Sequence, residues 1–105
     1  MIIAEATDAI LVVGPDAAVQ YATPSTETVM GRAAADLRGT DASELIVPAD
    51  RPRVMAEFAA LVADPGGHRT VEFRHDRPDG TRIWIEARGR NLLGREPVDG
   101  VVIYG

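Results

Sequence analysis

His68 and His75 are the two histidines of this chain, and Asp76 and Asp79 follow closely on the second. Imidazole and carboxylate together can ligate a divalent cation or move a proton, so this stretch is where chemistry would be sought first. A structural or catalytic metal needs a closed set of ligands held at helical or hairpin spacing. His-x6-His with two loop aspartates does not supply one. His75 reads instead as an amphipathic position near a hairpin end, and His68 as a loop residue facing solvent. The chain has no Cys, which removes disulfides, thiolate metal sites, a thiol nucleophile and any chromophore bonded through a thiol. No nucleophile stands beside a base, so no catalytic residue and no metal ligand is assigned.

Whatever the chain does must then be built from its elements. With 105 residues, 46% of them hydrophobic and 26% charged, it is expected to form one domain over residues 1–105. The formal net charge of -5 repels a phosphate backbone, which argues against nucleic acid as a partner. The longest apolar stretch, residues 9–13, is far below the roughly 20 residues of a membrane span. Residues 1–8 lack a basic leader and a small-residue cleavage pattern, and are not expected to be a signal peptide.

The β-branched run at 9–13, a turn at Gly14-Pro15-Asp16-Ala17 and the run at 19–22 predict two short strands. Thr23-Pro24-Ser25 predicts a helix start with Thr23 as N-cap and Pro24 at the first helical position, ending at Gly31. Short helical pieces follow at 32–37 and 41–45. A longer helix begins after Pro48 with Asp50 as its cap, and Val54, Met55, Phe58, Leu61 and Val62 form its apolar stripe. Beyond Asp64-Pro65-Gly66-Gly67 the period changes from 3.6 to 2. Val71, Phe73 and His75 alternate with charged residues up to Pro78-Asp79-Gly80, and Ile83, Ile85, Ala87 and Gly89 alternate with Arg82, Trp84, Glu86, Arg88 and Arg90. If those three turn residues form the loop, Phe73 faces Ile85 and Arg74 lies across from Trp84, within cation–π reach. Residues 98–104 predict a last strand. Strands one and five are apolar at both parities and belong in the middle of a sheet. The expected fold is α+β, with a five-stranded antiparallel sheet of order 2-1-5-4-3 and helices packed on one face.

Taken in order, these pieces resemble the PAS (Per-Arnt-Sim) domains of sensory signalling proteins. The residues that carry the resemblance are Asp8-Ala-Ile-Leu-Val-Val13, Tyr21-Ala-Thr-Pro-Ser25 with Met30-Gly31, and Pro48-Ala-Asp-Arg51, where Val47 replaces the usual His. To these add Val71-Glu-Phe-Arg74, Asp79-Gly80, Ile83-Trp-Ile-Glu86, Asn91-Leu-Leu93 and Val98-Asp-Gly-Val-Val102. The resemblance implies a PAS domain of a bacterial, cytoplasmic protein longer than this segment, with an attached effector such as a histidine kinase or a cyclic-dinucleotide enzyme. It also allows cofactors to be tested residue by residue. Flavin-adduct members carry a Cys where residues 39–46 have none, and haem members present a His from the long helix, which lacks one here. Neither cofactor is expected.

The positions expected to face the helices, Leu11, Val13, Met55, Phe58, Val71, Phe73, Ile83, Ile85 and Val102, would form a packed core or a pocket for a small apolar molecule. Alternation places Ile10, Val12, Trp84, Val101 and Ile103 on the opposite face, where they would form an apolar patch rimmed by Arg82, Glu86 and Arg88. The expected function is a sensory and interaction module docking through that face, as a homodimer or against a flanking domain. The alternatives are a small stand-alone enzyme using the cup between sheet and helices, and a dimerisation domain without ligand.

Overall fold

In the computed structural model residues 9–105 are described; the signal-peptide reading of residues 1–8, and Asp8 in the opening-strand motif, lie outside the described residues. Strands β1 (Ile10–Val13) and β2 (Val19–Ala22) form a hairpin, followed by the short helices α1 (Thr26–Met30) and α2 (Ala34–Leu37) and a 3₁₀ turn at Ala42–Leu45. Helix α3 (Arg51–Val62) leads into the long strands β3 (His68–Asp76) and β4 (Arg82–Asn91), and β5 (Val101–Tyr104) closes the chain. All pairings are antiparallel, and the strand order is β2-β1-β5-β4-β3. The two strands apolar at both parities, β1 and β5, therefore pair with each other inside the sheet, as the sequence predicts.

Local chemistry sets most of the boundaries. Gly31 ends α1 in the left-handed conformation (φ 71°) and returns its N–H to the Glu27 carbonyl. Pro52 occupies the first turn of α3, where no helical acceptor awaits an amide hydrogen. Two expected caps act differently. Helix α1 starts at Thr26, after Ser25, because the Thr23 hydroxyl is taken by the sheet: it accepts from the Ile10 N–H at 3.0 Å. Asp50 does precede α3, but its carboxylate makes no cap bond and reaches Arg74 instead.

The turn at Pro78-Asp79-Gly80 sets the β3–β4 register as expected: Phe73 pairs with Ile85 and Arg74 with Trp84. In β5 the expected parity is reversed. Leu11 pairs with Ile103, Val12 with Val102 and Val13 with Val101. Directly opposed residues share a sheet face. Val101, fully buried like Val13, and Ile103 therefore face the helices, while Val102 faces away. A strand apolar at both parities carries no alternation signal, so only the pairing register decides which set is inside. β5 also begins at Val101 and not at Val98.

Candidate functional site

Between the helices and the sheet lies a cavity of about 100 Å³. Leu11, Val71, Phe73 and Ile85 line it from the sheet, and Met55 and Phe58 from α3, as the stripe and the alternation predict. Three expected lining residues are elsewhere. Val13 packs in the core outside the cavity wall and Ile83 packs against that core, while Val102 is on the other face. The wall is completed by Val29, Met30, Leu45, Ile46, Leu61 and Ile103, among others. The first five come from helices α1 and α3 and the 3₁₀ segment with its flank, whose approach to the sheet no periodicity specifies. Met55, Phe58 and Val62 are only half-buried, whereas Val54 and Leu61 of the same stripe are buried.

Two buried polar side chains brace this cup, and the alternation pattern gave neither a role. His75, expected as an ordinary amphipathic residue, is 1% exposed; its Nδ1 lies 2.7 Å from the Leu45 carbonyl and its Nε2 3.4 Å from that of Met30. It thus joins β3 to the ends of α1 and the 3₁₀ turn. Asn91 at the end of β4 donates from Nδ2 to the carbonyls of Leu61, Val62 and Asp64, at 2.8, 3.1 and 3.2 Å, and its Oδ1 accepts from the Leu93 N–H. It serves as a side-chain cap for the C-terminus of α3, whose last carbonyls have no helical donors. His68 is exposed at the start of β3, as expected. No group of three or more His, Asp or Glu that could hold a metal occurs among the described residues.

At the other end of α3, Asp50 accepts from the Arg74 backbone N–H at 2.9 Å, from its Nε at 3.0 Å and from its Nη2 at 2.6 Å. The Arg74 side chain, then its backbone N–H, holds the Asp50 carboxyl well below the usual carboxylate range. The same guanidinium lies 5.5 Å from the Trp84 ring centroid, so one arginine ties the first turn of α3 to an indole on the far side of the sheet. Because the folded state favours ionised Asp50, the stabilisation is complete above a pH of about 4 and is lost as pH falls below that value. Asp50→Asn is therefore expected to lower the thermal midpoint at pH 7 and to flatten its decline below about pH 4. Some slope remains, since Asp76, hydrogen-bonded to Arg82, and Asp79, hydrogen-bonded to Thr81, are shifted in the same direction. Parallel curves for wild type and variant would show that the pair contributes nothing.

The two edges of the sheet are occupied by the chain itself. On β3, Val47 N–H donates to the Arg74 carbonyl, and Arg53 and Arg32 donate to the carbonyls of Glu72 and Asp76. On β2, Val19 exchanges hydrogen bonds with Thr40 and Gly39. Such caps block strand addition, leaving the helix-free face as the sheet's exposed surface. That face carries Ile10, Val12 and Trp84 as predicted, the last 67% exposed. Val101 and Ile103 are absent from it, and Val102, Tyr104 and Tyr21 stand with Ile10 and Val12. The patch is divided. Tyr104 pairs with Arg88, and Trp84 lies four residues further along β4, about 13 Å away, with Glu86 between.

Comparison with known proteins agrees with this geometry. A sequence family described as "PAS fold" matches residues 19–101. Among curated proteins no sequence matches the chain. Of solved structures, the PAS domain of a protein from Colwellia psychrerythraea is 25% identical with a TM-score of 0.80, covering 94% of this chain and 84% of that one. A domain of a sensory box sensor histidine kinase/response regulator from Geobacter sulfurreducens is 19% identical, with a TM-score of 0.73 and coverage of 95% and 82%. The PAS-B domain of Drosophila melanogaster Cycle, with bound ethylene glycol, is 15% identical, with a TM-score of 0.76 and coverage of 92% and 95%. At such identities the last two attest the shared fold.

Proposed function

The chain belongs to the PAS family, and from that premise we propose that it is a sensory and interaction module, without catalysis of its own, that regulates an attached signalling effector. The observation that carries this reading is the apolar cavity of about 100 Å³ walled jointly by the sheet and all the helical layer except α2. A small molecule entering it would touch α1, the 3₁₀ segment, α3 and the sheet at once, so occupancy would favour one arrangement of these elements over another. The Asp50–Arg74–Trp84 contacts give such a change a physical route to the outer face. That face would dock a second copy of the chain or a flanking domain of a longer, cytoplasmic bacterial protein, with a histidine kinase or a cyclic-dinucleotide enzyme as effector. The reading calls for no flavin, haem or metal. Cavity walls of aliphatic and aromatic side chains suit a small apolar molecule.

Native mass spectrometry of the gently purified protein tests the sensory half: a stoichiometric small-molecule adduct is expected, and a bare polypeptide mass under all growth conditions would favour a ligand-free dimerisation domain. The docking half is tested by Trp84→Arg. The side chain points into water, but the change gives up the contact with Arg74 and sets a second cation opposite it, so a loss of about 1 kcal/mol is expected with the fold intact. Sedimentation over a concentration series should show self-association of the wild type weakened in the variant. Equal monomeric behaviour of both at high concentration would overturn self-association through Trp84.

A further inference from the structure

The helix-facing positions of β3 are Arg69, Val71, Phe73 and His75, and the first of them breaks the apolar pattern. A cation at a core-facing position is an error of patterning unless it serves a function. Arg69 borders the mouth of the cavity, and its guanidinium is only loosely committed. Its Nη1 lies 3.2 Å from Asp64 Oδ2 and 3.0 Å from the His68 carbonyl, and Nε lies 3.8 Å from Glu57 Oε1. Both acids are half exposed, so these pairs exchange readily with solvent. No acceptor for its Nη2 occurs among the described residues. The residue opposite Arg69 is Gly89, which also lines the cavity; a Cβ there would come within 2.8 Å of Leu61 Cδ2, so the close approach of α3 to β4 at this end of the cavity depends on glycine.

We propose that Arg69 receives the head group of a short-chain carboxylate whose hydrocarbon tail fills the cavity, a reading that rests on the cavity being the sensory site. A guanidinium offers two parallel N–H donors to a carboxylate, a match that an alcohol or an amine cannot make. Apart from Glu57, the rest of the wall supplies apolar contact, and the one hydroxyl in it, on Ser43, is engaged with Asp41. The cavity of about 100 Å³ has room for a short hydrocarbon tail. Ligand binding displaces Glu57 and Asp64 from Arg69 into water, which links the head group to the position of α3.

The test is a titration of the intact chain, followed by amide NMR, with straight-chain carboxylates from acetate to heptanoate and with pentan-1-ol. Affinity should rise about fourfold per methylene over the shortest tails and level off once the tail fills the cavity. Pentanoate should bind at least about tenfold more tightly than pentan-1-ol, one bidentate ion pair being worth that much. Arg69→Gln should erase this ratio while leaving pentan-1-ol binding unchanged. Glu57→Gln, which removes a competing carboxylate, should tighten pentanoate alone. Equal binding of pentanoate and pentan-1-ol, or an Arg69→Gln variant that keeps the preference, overturns the role of Arg69 and leaves the sensory cavity standing. Failure of both probes to bind at millimolar concentration overturns the cavity reading as well.

Discussion

Phe73→Ala is expected to lower the free energy of unfolding by about 3 to 5 kcal/mol. Phe73 is buried at the centre of β3, faces Ile85 across the hairpin and forms part of the cavity wall. Its removal deletes apolar contact and adds empty volume to a cup that is already incompletely filled, so the surroundings have little to collapse onto. Against a total of about 5 to 15 kcal/mol for a domain, that loss brings the chain close to unfolding. Phe73→Leu, which keeps most of the volume, should cost about 1 kcal/mol and remain folded. The measurement is the urea midpoint at unchanged slope. An apolar guest such as benzene should restore part of the stability lost in the alanine variant and little in the wild type. A loss below about 1 kcal/mol would show that Phe73 does not hold the sheet to α3.

Asn91→Asp is the second large effect, about 3 kcal/mol at neutral pH, from a change of one atom. The amide nitrogen of Asn91 holds three carbonyls at the C-terminal end of α3, and the residue is 2% exposed. An aspartate would keep the Leu93 N–H but turn a donor into a buried negative charge facing the negative end of the helix. Asn91→Ala removes the same bonds without adding charge, so it should be the milder of the two at pH 7. The gap between them should narrow as acid neutralises the carboxyl. An Asn91→Asp variant as stable as the wild type would mean that solvent, not this side chain, satisfies the end of α3.

Both effects depend on neighbours that are remote in sequence, and this marks how far the chain could be read by itself. Alternation along 71–75 and 83–89, with a three-residue Pro78-Asp79-Gly80 loop, was enough to pair Phe73 with Ile85 and Arg74 with Trp84, since hairpin register is local and one slip would invert a face. The apolar character of residues 9–13 and 101–104 at both parities likewise placed β1 and β5 inside the sheet. The same property hid the orientation of β5, because a strand with no polar face leaves its inside and outside to be chosen by partners on both sides.

Composition and period thus determined the fold class, the strand order and most of the sheet residues that line the cavity. They could not determine what happens where elements meet. Asp50 was legible as a helix cap, yet its carboxylate has better donors in Arg74, a residue 24 positions away. His75 and Asn91 were legible only as strand residues. Their partners are carbonyls at the ends of α1, the 3₁₀ turn and α3, which face them only once those helices have stopped beside them. The cavity is decided in the same way. Patterning says which side chains point inward, but whether they meet depends on shapes contributed by several separate segments, and here α1, the 3₁₀ segment, α3 and the sheet leave a space between them.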